Sequence, residues 1–395
     1  MSDAIAVKDS NSDARCIIIG ASHAGSQLAV NLRKNGWPGE IVLVGAEAQL
    51  PYHRPPLSKT VMAGTKTLDN ILLRPEAMYT SNNISLRLAT QVQQIVPTQK
   101  RIVLATGEDI SYDKLALCTG ARPIKLPLGD GLDGVCYLRS YEDVKTIQQQ
   151  LADKRRAVVI GAGYIGLEAA AVMSRLGLQV TVLERADRVL QRVTGGQVSQ
   201  YFTDLHRSHG VEIVCDAEVI AINGQHAVDS VSCADGSRYP ADIVIVGIGV
   251  TPETTLAQDA GLRIENGLYI DEYCRTSDEH IYAAGDCTSY PDARYQRRIR
   301  LESVQNANDQ ARIAAINICG GRDRYQVIPW FWSDQFDIKL QSAGLSDGFD
   351  DTVLDGSLDP ADPEGFVIQY LREGKLIAAD CVKRPKEFMA LKARI

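Results

Sequence analysis

The sequence predicts an α/β protein: two Rossmann-like dinucleotide-binding domains and a small α+β domain at the C-terminal end. Three observations carry that class. A unit of strand, glycine turn, helix and strand occurs twice, with the second glycine turn 141 residues after the first. Each copy has an acid about 20 residues beyond its last glycine, where such folds meet a ribose. From about residue 326 the pattern changes to alternating strands around Asp337–Ala343, Phe366–Tyr370 and Leu376–Cys381, then a short helix.

The first copy begins with the apolar run Cys16–Ile19 and the turn Gly20-Ala21-Ser22-His23-Ala24-Gly25. A helical stretch from Gln27 to Asn35 and a strand over Ile41–Val44 follow, and Glu47 is the acid. The second copy runs from Ala157–Ile160 through Gly161-Ala162-Gly163-Tyr164-Ile165-Gly166 to a helix over Leu167–Leu176, a strand over Val180–Leu183 and the acid Glu184. In such a turn the first glycine permits the tight bend at the strand end. The second lets backbone approach a pyrophosphate, and the third allows close helix–strand packing. Phosphate then meets the positive end of the helix and its free N–H groups.

The copies differ at two points. Ser22 replaces the middle glycine of the first, the smallest substitution that lets the turn survive, and Glu47 is displaced from its strand end by a residue or two. Two nucleotide sites in one chain suggest two cofactors exchanging electrons, a resident flavin dinucleotide and a visiting nicotinamide dinucleotide. The Glu184 carboxylate suits a free 2′-hydroxyl and so favours NADH, while the adjacent Arg185 is the counter-argument.

Composition sets the class of partners. The 395 residues are 45% hydrophobic and 23% charged, which is ample for packed cores and excludes collagen-like and disordered readings. A formal charge of −7 argues against nucleic acid or an anionic membrane as the main partner. The nine cysteines stand singly, without a CxxC spacing, as small buried hydrophobes of a reducing compartment do. The first fourteen residues are polar and acidic, with no sign of a signal peptide. The apolar stretch Ala157–Leu178 carries Glu168, Arg175 and glycines, so it is not read as a membrane span. The expectation is a soluble cytoplasmic protein, a monomer or weak homodimer.

Further landmarks follow in order: Pro51-Tyr-His-Arg54-Pro-Pro-Leu-Ser-Lys59, Thr119-Gly120-Ala-Arg122-Pro, Tyr164-Ile-Gly166-Leu-Glu168, Val246-Gly-Ile-Gly249-Val, Ala284-Gly285-Asp286-Cys287, Glu302-Ser303-Val304-Gln-Asn306-Ala and Pro329-Trp330-Phe-Trp332-Ser-Asp-Gln. With these the chain resembles the FAD-dependent ferredoxin reductases of oxygenase systems. That is the putidaredoxin reductase and biphenyl dioxygenase reductase family, within the glutathione-reductase-like fold. The chain ends at Ile395, whereas that family typically runs on for a further stretch.

The resemblance implies FAD contacts at Gly20, Ser22, His23, Ala24, Gly25, Glu47, Arg54, Lys59, Thr119, Gly120, Arg122, Gly285, Asp286, Ser303, Val304 and Trp332. It implies NADH contacts at Gly161, Gly163, Tyr164, Ile165, Gly166, Glu184 and Gly249. Asp286 follows a strand over His280–Ala284 and opens a helix or turn. By resemblance it binds the ribityl chain; the plainer alternative is an ordinary helix N-cap. Lys59, beside a rigid Pro-Pro turn, is placed near the flavin ring, and Glu168 pairs with it across the nicotinamide pocket. The plainer alternative is a solvated ion pair worth under about 1 kcal/mol. Trp332 walls the isoalloxazine pocket, while Phe331 reads as core packing.

Arg297, Arg298 and Arg300, with Lys339 and Arg384, are candidates for a positive rim towards an acidic ferredoxin, against the alternative of a solvated face. Between Gly20 and Tyr112 there is no cysteine, which removes a dithiol relay. The expected domains are FAD-binding (residues 1–122 and 252–325), NADH-binding (123–251) and C-terminal (326–395). The expected reaction passes hydride from nicotinamide C4 to flavin N5, then single electrons to a [2Fe–2S] ferredoxin serving a cytochrome P450 or a ring-hydroxylating dioxygenase. Alternatives are a rubredoxin reductase, which looks nearly identical at this level, and a redox-sensing protein like apoptosis-inducing factor.

Overall fold

Hydrophobic runs of four or five residues bounded by turns form buried parallel strands, and they do so in two separate sheets. The structure, a computed structural model, describes residues 13–151 and 153–395. Of the polar N-terminal stretch, all but its last two residues lie outside the described residues. The chain divides into two compact units. One runs from the first described residue to His53 and adds Leu72–Ala121 and Pro252–Val327; the other gathers Arg54–Ile71, Arg122–Thr251 and Ile328–Ile395.

In the first unit a five-stranded sheet has the order Ile281–Ala283, Lys114–Leu117, Arg15–Ile19, Glu40–Val44, Ile84–Arg87, and every pairing is parallel. The strand pair at its centre puts Ile19 opposite Val44. Cys16, Ile17, Ile18, Ile41 and Leu43 are wholly buried there. Strands covered on both faces read as continuous apolar runs for this reason. An antiparallel three-stranded sheet, Val92–Val96, Arg101–Leu104 and Asp109–Ser111, accompanies it.

The second unit repeats the design. Its parallel sheet has the order Val135–Tyr137, Ile243–Val246, Arg156–Ile160, Gln179–Leu183, Glu212–Val214, and Ile160 stands opposite Leu183. It too has an antiparallel three-stranded companion, Val219–Gly224, Val228–Cys233 and Arg238–Pro240. A second, wholly antiparallel sheet of the order Trp330–Gln335, Ile338–Gly344, Lys375–Val382, Phe366–Arg372, Asp351–Gly356 follows, with the helix Pro385–Lys392 packed on it through Phe388 and Leu391. The β-rich C-terminal segment is thus the α+β portion expected from sequence, in which the aromatic segment Trp330–Gln335 supplies a fourth strand and Asp351–Gly356 a fifth.

Both glycine-turn helices begin earlier than their sequences suggest, at His23 and Tyr164 rather than Gln27 and Leu167. Gly25 and Gly166 therefore sit inside their helices. Glycine costs a helix interior roughly 1 kcal/mol relative to alanine, but here packing overrides propensity. A Cβ at Gly25 would fall 1.9 Å from the Gly20 carbonyl oxygen, and one at Gly166 would fall 2.0 Å from that of Gly161. Among the described residues no helix is long and apolar enough to cross a membrane.

Candidate functional site

The two turns are built alike. Gly20 has φ +110° and Gly161 has φ +102°, in the region that disfavours a side chain. Each donates its N–H to the end of the neighbouring strand, Gly20 to the Val44 carbonyl and Gly161 to that of Leu183, both at 2.8 Å. A Cβ at either would collide with backbone, 2.1 Å from the Cys118 carbonyl oxygen and 2.5 Å from that of Gly247. At the middle position both chains are extended, Ser22 at φ −126°, ψ −152° and Gly163 at φ −78°, ψ −177°. Such a backbone accepts serine without strain, so the Ser22 turn survives as expected.

In the first unit the turn lies against two other segments. Thr119 Oγ1 donates to the Glu253 carbonyl at 2.6 Å, and Gly120 holds φ +70°. Gly285, at φ +93°, comes so close to the first helix that a Cβ there would lie 3.2 Å from that of Ala24. Gln310, from the helix Val304–Ile318, pins this approach by accepting from Gly285 N and Thr288 Oγ1, both at 2.8 Å. Asp286 occupies a turn between the strands Ile281–Ala283 and Thr288–Asp292. No helix follows it, so the N-cap alternative is overturned. Ser303 does cap a helix, accepting from Asn306 N with Val304 as the first helical residue. Glu47 is met by the Tyr52 hydroxyl.

In the second unit Glu184 Oε2 accepts from Ala162 N at 2.6 Å, inside the glycine turn, and Oε1 accepts from Ala186 N at 2.9 Å. The acid that follows its strand directly is thereby tied to the turn, whereas the displaced Glu47 faces Tyr52. Arg185 is exposed. Nothing stands within 4 Å of where a Gly163 side chain would begin, and Ile165 beside it is 43% exposed. This open cradle before a twelve-residue helix fits a dinucleotide pyrophosphate. Gly249, at φ +113°, is bordered by Arg192 and Ile124. Arg122 is exposed on the strand Ala121–Pro123.

Lys59 and Glu168 form a buried pair, Nζ to Oε2 at 2.7 Å, with side chains 17% and 2% exposed. The solvated alternative is overturned. Lys59 sits in a π-helical turn, Leu57–Val61, broken at Lys59 itself by φ −129°, ψ −105°. Its ammonium also donates to the Pro55 carbonyl at 3.2 Å, and Arg54 anchors the approach by donating to the Arg139 carbonyl at 2.7 Å. Glu168, in the second turn of its helix, accepts in addition from Ser58 Oγ at 2.5 Å and Ser333 Oγ at 2.7 Å. Three donors, one of them an ammonium, thus replace the water that burial removes from this carboxylate.

Trp332 lies in the strand Trp330–Gln335, half-buried, with the Trp330 ring 5.6 Å away. Phe331 is not core packing: its ring stacks on Tyr164 of the glycine turn at 4.4 Å. Burial and the nearby Asp380 carboxylate push the Tyr164 hydroxyl up. Asp380 itself, 3% exposed, is raised by burial and accepts from Ser342 at 2.5 Å, Tyr370 at 2.7 Å and Thr194. The sequence reading missed Ser58, Ser333 and Asp380. For Ser333 and Asp380, polar residues interleaved in apolar strands were the available signal; Ser58 lies in the turn Leu57–Val61 and carried none.

Of the five basic-rim candidates Arg297 is exposed, and the other four are engaged locally. Arg298 lies over the Tyr269 ring at 3.6 Å and donates to the Ile270 carbonyl at 2.8 Å, and burial lowers its pKa. Arg300 pairs with Glu302, Lys339 with Asp334 at 3.6 Å and Arg384 with Glu387 at 3.3 Å. Local acids, invisible to a count of basic residues, meet the charges of Arg300, Lys339 and Arg384. All nine cysteines are unpaired, and burial pushes the thiols of Cys16, Cys118 and Cys287 up, away from reactive thiolate character.

Two turns of one geometry, each opening a helix beside an acid, define a two-dinucleotide oxidoreductase. Residues 14–311 match the pyridine nucleotide-disulphide oxidoreductase family, and residues 330–395 match the reductase C-terminal family. The chain belongs to the pyridine nucleotide-disulphide oxidoreductases, whose members of this kind use FAD and NAD(H). It is 44% identical to a ferredoxin–NAD(P)+ reductase of Sphingomonas sp. over 94% of this chain and 90% of that one. It is 38% identical to a rubredoxin–NAD+ reductase of Pseudomonas putida, over 95% and 97% of the two chains. The reductase in the covalent putidaredoxin reductase–putidaredoxin complex superposes with a TM-score of 0.93 at 42% identity, covering 98% of this chain and 94% of that one.

Proposed function

We propose that this chain is an NADH:ferredoxin reductase that takes hydride from NADH and delivers single electrons to a [2Fe–2S] ferredoxin of a cytochrome P450 or ring-hydroxylating dioxygenase system. The observation that carries the reading is the pair of matched glycine turns, one lined by Ser22 and one left open at Gly163. When bound, FAD supplies a carrier that accepts an electron pair and releases electrons singly, which is what joins a nicotinamide to an iron–sulfur protein. In the first unit it would be held by Gly20, Ser22, His23, Ala24 and Gly25 at the pyrophosphate, Glu47 at the ribose and Asp286 at the ribityl chain. Thr119, Gly120, Gly285, Ser303 and Val304 would contribute backbone around it. The resemblance assigns Arg54, Lys59, Arg122 and Trp332 to the same cofactor.

NADH is the substrate of the second unit. Gly163, Tyr164, Ile165 and Gly166 present backbone N–H groups to its pyrophosphate, Gly161 makes the tight bend that opens the turn, Glu184 takes the ribose hydroxyls, and Gly249 leaves room beside them. The Lys59 ammonium, fixed by Glu168, places positive charge where negative charge accumulates. Glu168 in turn orients the nicotinamide, and Trp332 excludes water. No acid or base is required, because hydride transfer depends on alignment. The unpaired, high-pKa thiols support electron departure without a dithiol relay.

Anaerobic assays with purified [2Fe–2S] ferredoxins and rubredoxins test the reading: NADH-dependent reduction of the former is expected. Preferential reduction of rubredoxin would favour the second reading, which the similarity to a rubredoxin–NAD+ reductase supports. We place the protein in the cytoplasm as a monomer or weak homodimer, which sedimentation would measure.

A further inference from the structure

Glu168 owes one of its hydrogen bonds to a distant part of the sequence. Ser333 Oγ, from the strand Trp330–Gln335, approaches Glu168 Oε1 at 2.7 Å across a separation of 165 residues. Gln335 Nε2 reaches Ser333 Oγ at 3.2 Å, and Gln335 Oε1 lies 2.9 Å from His206 Nε2. His206 belongs to the helix Gly196–Ser208. Ser333, Gln335 and His206 are each wholly buried, and Glu168 is 2% exposed.

The proton directions in this chain are forced. An ionised carboxylate only accepts, so Ser333 gives its one proton to Glu168. Its oxygen lone pair then takes the Gln335 N–H. An amide that donates through nitrogen here accepts through oxygen, so His206 carries its proton on Nε2. His206 Nδ1 is left buried without a hydrogen-bond partner. A hydrocarbon of similar size would avoid that cost, so what the imidazole contributes is the Nε2–H. The Phe336 ring meets it edge-on at 5.0 Å.

We propose that His206, Gln335 and Ser333 form a one-way donor chain that fixes the rotation of the Glu168 carboxylate, and through it the Lys59 ammonium, for hydride transfer. The three are positioning residues, since their effect passes through Glu168. The inference rests on the role given above to the Lys59–Glu168 pair. It deepens that reading by naming what holds the pair in register. With the Ser333 hydroxyl gone, the carboxylate retains donors on Oε2 alone, from Ser58 and Lys59, and turns towards them. The glycine turn and Glu184 are untouched, so NADH affinity is preserved.

The test is anaerobic stopped-flow reduction of the FAD-loaded protein by NADH, which separates the limiting rate from the apparent Kd. Ser333→Ala is expected to lower the limiting rate about tenfold with Kd unchanged, Ser333→Thr to restore it, and Gln335→Met to give a smaller loss. A Ser333→Ala rate within twofold of the parent, alongside slowing by Glu168→Gln, overturns the inference alone. If Glu168→Gln itself leaves the rate unchanged, the role of the ion pair falls and this inference with it. A Ser333→Ala loss that threonine does not rescue, or that appears in Kd, marks a merely structural role and also overturns it. Should Ser333→Ala fail to fold, the Gln335→Met rate decides by the same criteria.

Discussion

The two halves of the internal repeat share a backbone and differ in chemistry. Both first glycines hold a φ above +100°, both third glycines press on the carbonyl of the first, and both middle positions are extended. At the middle position one copy carries a hydroxyl and the other open space. At the acid, one copy ties the carboxylate to its own turn through Ala162, and the other sends it to Tyr52. The fold demands small residues only where backbone meets backbone. Elsewhere in the turn the copies are free to diverge, as they do at Ser22 and Gly163.

The sharpest way to break the comparison is to fill the first glycine. Gly161→Ala and Gly20→Ala force a side chain into a positive-φ position and against a carbonyl oxygen. Each is expected to cost at least about 3 kcal/mol and to lower Tm in a thermal scan. Retention of the parent Tm by either would remove the shared-backbone argument.

Lys59→Met probes the chemistry of the second unit. It leaves Glu168 buried without its cation, a loss of about 3–5 kcal/mol in denaturant unfolding. NADH-driven flavin reduction should slow by about tenfold or more. Unchanged stopped-flow traces would remove Lys59 from the site.

Acid should weaken the second unit through His206, whose pKa burial depresses to about 4, with Gln335 opposing and His209 adding to the shift. Because the unfolded imidazole titrates near 6.5, the folded state binds fewer protons below that pH. Stability is full above about pH 6.5 and falls by about 3 kcal/mol as pH approaches 4. His206→Gln should flatten that slope in pH-dependent unfolding. A slope identical to the parent's would show that another group carries it.

The smallest effect concerns the acid. Glu184→Gln should lower kcat/KM for NADH about tenfold while FAD content stays constant. A preference of the parent for NADPH would contradict the role of Glu184.

Most of the fold is legible in the sequence because it rests on apolar runs and positive-φ glycines, which have few alternatives. The helix starts are not, since Gly25 and Gly166 look like breakers until the strand they press against is known. The edge strand Asp351–Gly356 hides among acids and prolines and buries none of its residues. The site is partly legible. The Lys59–Glu168 pair followed from a family resemblance, but its burial depends on Ser58, which no local motif announces, and on Ser333. The alternation of the strand Trp330–Gln335, burying Ser333 and Gln335 and leaving Trp332 and Asp334 half-exposed, was the signal that polar groups face inward there.

The central claim, one held flavin dinucleotide and one exchanging nicotinamide per chain, is tested most directly by anaerobic NADH titration of desalted protein. The account predicts one FAD per chain, retained through desalting and bleached by one equivalent of NADH. A protein that stays colourless after reconstitution with FAD, or a bound flavin that NADH leaves oxidised, would contradict it.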